Sequence, residues 1–124
     1  MIELNVNGTI INTASINGIM AGAVGSSSYN IAKAAVVMLS KTAALELAEY
    51  GIRVVGVAPG FIDTPMLGDN EEKKNIRAAQ HMGGKLIQPE KVASVVTFLF
   101  SEAASAINGQ TIPVDDGYLS FKFR

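Results

Sequence analysis

The chain predicts an α/β fold with about three parallel strands and flanking helices. Two observations carry this. Three short β-branched runs, Thr9 to Ala14, Ile52 to Ala58 and Gln110 to Val114, alternate with longer helix-forming stretches. Glycine and proline fall at the junctions between them. Strand, helix, strand, helix, strand in that order gives parallel pairing with right-handed crossovers.

Each element has a local reason. TIINTA, Thr9 to Ala14, ends in small residues and reads as a buried strand. Ser15 to Gly25 is a glycine-rich connection, and Ser26 or Ser27 is a fitting N-cap for a helix that runs to about Tyr50 and stops at Gly51. IRVVGVA, Ile52 to Ala58, is a second strand broken by Pro59-Gly60. Phe61 to Gly84 is polar and irregular, with one helix expected in Asn70 to Met82. Pro89 suits the first position of a helix over Glu90 to about Ser101, with Glu90 at its positive end. QTIPV, Gln110 to Val114, is the third strand, followed by Asp115-Asp116-Gly117 and a short tail.

The long helix is apolar nearly all round: Ala34 to Leu39, then Ala43, Ala44, Leu45, Leu47 and Ala48. Such a helix is buried on more than one side. One side faces the sheet, and the expectation for the other is a partner subunit.

Composition narrows the function classes. The chain has 124 residues, a net charge of −1, 48% hydrophobic and 17% charged residues. One domain covers 1–124, and nothing in the charge balance points to nucleic acid or an anionic membrane. With no cysteine and a single histidine, His81, disulfides and thiolate or multi-histidine metal sites are excluded. The apolar runs are too short for a membrane span, and no basic-then-apolar start marks a secretory signal. A cytoplasmic location is the default expectation.

The chemistry concentrates in Tyr29-Asn30-Ile31-Ala32-Lys33, with Ser15 upstream and Pro59 to Thr64 downstream. Residues four apart share a helix face, so the Tyr29 hydroxyl and Lys33 ammonium can approach each other. A cation beside a phenol favours phenolate, which suits a tyrosine that gives and takes a proton at a carbonyl/alcohol couple. Ser15 is placed to hold the substrate oxygen between itself and Tyr29.

Together these blocks resemble the C-terminal half of the short-chain dehydrogenase/reductase family, a Rossmann-like doubly wound sheet. The resemblance runs through Ile10 to Ser15, Tyr29-x-x-x-Lys33-Ala34-Ala35, Val57 to Thr64, Pro89-Glu90-x-Val92-Ala93 to Leu99, and Ile107-Asn108-Gly109-Gln110 to Asp115. It implies that Ser15 polarises the substrate carbonyl or alcohol, and that Tyr29 is general acid in reduction and general base in oxidation. Lys33 would favour the phenolate and, beside Tyr29, hold the nicotinamide ribose. Pro59, Gly60, Ile62 and Thr64 would line the nicotinamide, with the Ile62 backbone and Thr64 at its carboxamide. Hydride would pass between NAD or NADP and an alcohol/ketone substrate, and the stretch from Met66 to Gly84 would cover that substrate.

Three departures accompany the resemblance. The family's N-terminal half, with its Gly-rich pyrophosphate cradle and the residue choosing NAD or NADP, has no counterpart in these blocks. Ser15 and Tyr29 are fourteen apart, where the family usually shows thirteen. Ile2 to Thr9 looks like the segment around the family's catalytic asparagine, matched by Asn5, but a strand follows at once where a helix should intervene. The expectation is a truncation that joins two distant segments, with Asn5 out of reach of its usual place. The serine strand then lies at an open edge, which invites pairing with another chain. A homo-oligomer through the 27–50 helix or that edge is expected. The alternative to an active oxidoreductase is a catalytically inactive truncated remnant acting as a self-assembling or interaction module.

Other features read more plainly. The glycines of 18–25 fit neither G-x-G-x-x-G nor the family's own turn, and read as a loop edging the substrate pocket. Asn12 is expected to satisfy local backbone rather than support the site, His81 to be solvated, Glu71 to Lys74 to form an exposed paired helix face, and Asp115-Asp116-Gly117 to make a turn rather than a metal site.

Overall fold

The computed structural model describes residues 1–22 and 24–120. Ala23, inside the glycine-rich connection, and the tail at 121–124 lie outside the described residues. Three strands form one parallel sheet: β1 (Gly8–Thr13), β2 (Ile52–Pro59) and β3 (Thr111–Val114), in the order β1-β2-β3. Three helices accompany them: α1 (Ser27–Leu47), α2 (Glu71–Ala78) and α3 (Pro89–Phe100). Boundaries fall within a residue or two of the sequence expectation except at α2 and at the end of α1, whose last three expected residues form a 3₁₀ turn.

Register fixes what each face of the sheet meets. Ile11 pairs with Val55, and Asn12 with Gly56, which in turn pairs with Thr111. Val55 and Val57 point to one face, where they pack with Leu99 and Ala104, flanked by Val92, Val95 and Val96 of α3. Asn12 points to the other face, where its Nδ2 donates to Ser40 Oγ on α1 at 3.1 Å. Ser40 Oγ donates in turn to the Val36 carbonyl at 2.9 Å. Asn12 therefore pins helix to strand rather than satisfying local backbone. The central strand β2 is covered on both sides, and its residues 54–58 are buried.

The two helices lie on opposite faces although β1-β2 and β2-β3 step in the same direction across the sheet. The two crossovers therefore have opposite hands, which corrects the expectation that both are right-handed. The first is a compact strand-helix-strand unit. The second contains α2 and a long return, enough chain to cross to the far face before α3 begins.

Helix α1 continues as a 3₁₀ turn over Ala48–Tyr50 and ends at Gly51, whose φ of 66° is the left-handed conformation glycine adopts freely. Its outer side is uncovered: Ile31, Met38 and Leu45 are 71%, 59% and 80% exposed, with exposed Ala35 and Thr42 between them. These five residues alternate four and three apart, one continuous stripe along the helix. Strand β1 is an edge strand, as its terminal place in the sheet order requires.

Helix α2 is shorter than its pattern predicts. Asn70 caps it, accepting from the Lys73 N–H at 2.8 Å, and Lys74 pairs with Glu71 at 3.4 Å. Past Ala78 it tightens into i→i−3 turns, with the Gln80 N–H on the Arg77 carbonyl at 3.2 Å and the His81 N–H on the Ala78 carbonyl at 3.1 Å, before Asp116 takes the amides that follow. The Met82 N–H donates to the Asp116 carbonyl at 2.9 Å and the Gly83 N–H to Asp116 Oδ2 at 2.7 Å.

Candidate active site

The turn after β1 carries Ser15, the first turns of α1 carry Tyr29 and Lys33, and β2 leads into Pro59–Thr64. Ser15 lies two residues past β1 and is 8% exposed. It caps a 3₁₀ turn over Ile16–Gly18, its Oγ accepting from the Asn17 N–H at 3.2 Å. Backbone links hold that turn: Ala14 N–H to the Val57 carbonyl at 2.8 Å and Gly18 N–H to the Ser15 carbonyl at 2.9 Å. Ile16, 2% exposed, buries its side chain beneath.

Gly18 lets the serine turn touch the helix. A Cβ there would sit 2.5 Å from the backbone C and O of Lys33 and 2.9 Å from the Ala34 nitrogen. No side chain fits at that approach, so the glycine is set by close contact rather than by turn conformation.

Tyr29 stands in the first turns of α1, 41% exposed, and Lys33 one turn on. Lys33 Nζ is 5.8 Å from the Tyr29 ring centroid and donates to the Thr13 carbonyl at 2.9 Å. The ammonium thus joins the tyrosine helix to the last residue of the strand that leads to Ser15. A phenol held beside a cation, with a serine hydroxyl on the adjoining turn, can deliver or take up a proton at a carbonyl/alcohol oxygen.

The turn after β2 is tied down by backbone bonds on both sides. Gly60 N–H donates to the Val114 carbonyl at 3.0 Å, Asp63 N–H to the Ile87 carbonyl at 2.9 Å, and Ile87 N–H to the Phe61 carbonyl at 3.0 Å. Among the described residues the Ile62 N–H has no hydrogen-bond partner. Thr64 Oγ1 is 3.5 Å from the Ile62 carbonyl, too long to be a firm bond. A free amide and a loosely held hydroxyl suit a turn that meets a polar ligand. Gly60 is again a close approach, since a Cβ would lie 2.9 Å from His81 Nε2 and 3.0 Å from the Asp115 Cα.

His81 is the residue that sequence reasoning misplaced. It is 3% exposed, not solvated. Its ring lies 5.8 Å from Phe61 and 6.5 Å from Tyr118, centroid to centroid. A lone histidine in a polar stretch gives no signal of burial; the Phe61 and Tyr118 rings that enclose it are distant in sequence. Asp115 does make the expected turn: its two carboxylate oxygens accept from the Gly117 N–H at 3.1 Å and the Leu119 N–H at 2.9 Å. Asn5 lies in an exposed turn closed by its own N–H to the Ile2 carbonyl at 3.0 Å, with φ of 48°. Among the described residues no group of three His, Cys, Asp or Glu side chains could hold a metal ion, and no helix is long and apolar enough to cross a membrane.

Comparison with known proteins shows which family the chain matches. A family model described as enoyl-(acyl carrier protein) reductase matches residues 2–119. Cyclohexanol dehydrogenase of an Acinetobacter species is 46% identical over 113 residues, covering 91% of this chain and 44% of that protein. The 3-oxoacyl-[acyl-carrier-protein] reductase of Thermotoga maritima is 44% identical over 112 residues, covering 90% of this chain and 45% of that protein. The chain thus spans somewhat less than half the length of these curated relatives. Among solved structures, a short-chain type dehydrogenase/reductase from Mycobacterium marinum superposes with a TM-score of 0.90 at 34% identity, over 97% of this chain and 48% of that one. A short chain dehydrogenase family protein from Francisella tularensis gives 0.84 at 28% identity, over 97% and 55%. A doubly covered parallel sheet, a serine turn packed on a Tyr-x-x-x-Lys helix and matches along nearly the whole chain lead to one assignment: the chain belongs to the short-chain dehydrogenase/reductase family.

Proposed function

We propose that this chain carries the proton-transfer and nicotinamide-side part of an oxidoreductase that moves a hydride between NAD or NADP and an alcohol/ketone substrate. The observation that carries the reading is Lys33: bonded to the Thr13 carbonyl and lying over the Tyr29 ring, it ties the tyrosine helix to the strand that leads to Ser15. Ser15 polarises the substrate oxygen. Tyr29 delivers a proton to it in reduction and removes one in oxidation, with the Lys33 ammonium 5.8 Å from its ring centroid. The cofactor supplies or accepts the hydride. Pro59, Gly60, Ile62 and Thr64 form the wall for its nicotinamide, and the unpartnered Ile62 N–H fits a carboxamide oxygen.

The relatives' names favour secondary alcohols and their ketones as the substrate class, since they include dehydrogenases of cyclohexanol and of meso-2,3-butanediol. The stretch Met66 to Gly84, with α2 at its centre, covers the substrate side. The test is reduction of NAD or NADP with cyclic and acyclic secondary alcohols, run beside Tyr29→Phe. Turnover that falls about 10²- to 10⁴-fold in the variant supports the reading. Turnover indifferent to Tyr29 would contradict it.

A second reading, a non-catalytic module kept for self-assembly, is favoured by the uncovered stripe of α1. Self-association through Ile31, Met38 and Leu45, or through the β1 edge, is part of both readings. The module reading requires assembly with no cofactor-dependent activity at all.

A further inference from the structure

The Phe61 N–H ends on a side chain, unlike the neighbouring tethers of its turn, which join backbone to backbone. Its acceptor is His81 Nε2, at 3.2 Å. The other ring nitrogen, Nδ1, is 2.7 Å from the Lys85 carbonyl oxygen. An amide N–H can only donate and a carbonyl oxygen can only accept. The two partners together therefore require a neutral ring with its hydrogen on Nδ1 and a bare Nε2. Phe61 and Tyr118 enclose the ring, and Gly60 leaves it room.

We propose that His81, as a neutral Nδ1–H imidazole, is a positioning residue that sets the Pro59–Thr64 turn through the Phe61 N–H and ties that turn to the loop at 81–85. Its functional meaning rests on the reading of Pro59–Thr64 as the nicotinamide wall. The loop at 81–85 follows α2, so this ring is one link between the segment over the substrate and the cofactor wall, beside the Arg77 guanidinium of α2 at 5.8 Å from the Phe61 ring centroid. The same bridge draws in the end of the chain. Tyr118 packs edge-on to Phe61 at 5.5 Å, while Met82 and Gly83 bond Asp116. Ile87 holds the turn independently at Phe61 and Asp63, which leaves the Phe61 N–H as the contact specific to His81.

Because His81 is the only histidine, a long-range ¹H–¹⁵N correlation spectrum of the unmodified chain reports its ring without assignment. The expected spectrum has a protonated Nδ1 and a bare Nε2; a ring protonated at Nε2, or averaged between tautomers, overturns the proposal. Two variants then separate bridging from filling space. In His81→Gln the amide oxygen reaches about where Nε2 stands and can accept from Phe61, whereas the shorter His81→Asn reaches only Lys85. Amide hydrogen exchange at Phe61 should be nearly unchanged in His81→Gln and faster by about tenfold in His81→Asn, the factor an ordinary hydrogen bond supplies. Equal exchange in the two variants overturns the proposal. NADH and NADPH titrations of the same pair test the underlying reading separately. If exchange responds as expected but cofactor binding is the same in both, the bridge stands and the nicotinamide wall does not.

Discussion

Lys33 Nζ donates to the Thr13 carbonyl oxygen at 2.9 Å, reaching from α1 to the end of β1. The bond fixes the ammonium beside the Tyr29 ring and fixes the helix against the strand that leads to Ser15. Lys33→Met keeps the aliphatic stem and removes the donor. The bond is exposed, so its stability cost should be at the low end of about 0.5–1.5 kcal/mol. Tyr29-dependent turnover should fall by about 10²-fold or more. Urea unfolding beside alcohol oxidation measures both; a large stability loss with unchanged turnover would contradict the assigned role.

Gly18 should tolerate no side chain. A Cβ would press 2.5 Å from the Lys33 backbone, so Gly18→Ala must push the Ser15 turn away from α1. Overpacking of this kind costs about 1–3 kcal/mol. For a domain of this size that lowers the melting temperature by several degrees, about 4–8 °C per kcal/mol at somewhat smaller sizes. Thermal melts of the variant check it, and an unchanged melting temperature would mean the turn is not packed as described.

Ser40 is fully buried and serves two partners, Asn12 Nδ2 and the Val36 carbonyl. Ser40→Ala leaves the Asn12 amide without its acceptor, a penalty of about 1–3 kcal/mol. Replacing both, as Asn12→Val with Ser40→Ala, should recover part of that loss because no polar group is then stranded. A double-mutant cycle in denaturant reads the coupling directly.

The stripe on α1 predicts association. Met38→Glu with Leu45→Glu places two charges where apolar side chains are 59% and 80% exposed. Exposed substitutions change folding stability little, within about 0.5 kcal/mol each, while charge in the centre of an apolar interface opposes assembly. Sedimentation velocity across concentration should show an associating wild type and a dissociated variant. Identical sedimentation would direct attention to the β1 edge.

Local signals made most of the fold legible. The β-branched runs, Gly51 as a helix stop and Pro89 as a helix start act through their own backbone, so their effect is written in neighbouring residues. The approach of Lys33 to the Tyr29 ring was legible for a related reason: helix spacing puts residues four apart on one face. What stayed hidden depends on partners far along the chain. His81 is buried by Phe61 and Tyr118, the chain after α2 is held by Asp116, and Asn12 finds Ser40 across the sheet. The opposite-handed crossover was equally unreadable, because the order of elements does not say which face a long connection returns to.

The central claim is that Tyr29, Lys33 and the Pro59–Thr64 turn engage a nicotinamide cofactor. Its most direct test is a fluorescence titration with NADH and NADPH, run on the chain and on Tyr29→Phe/Lys33→Ala. Saturable binding with a Kd of about a millimolar, near −4 kcal/mol, and weaker by about tenfold or more in the double variant, is the predicted result. Superimposable titrations of the two proteins would contradict the claim and leave assembly through α1 as the function to pursue.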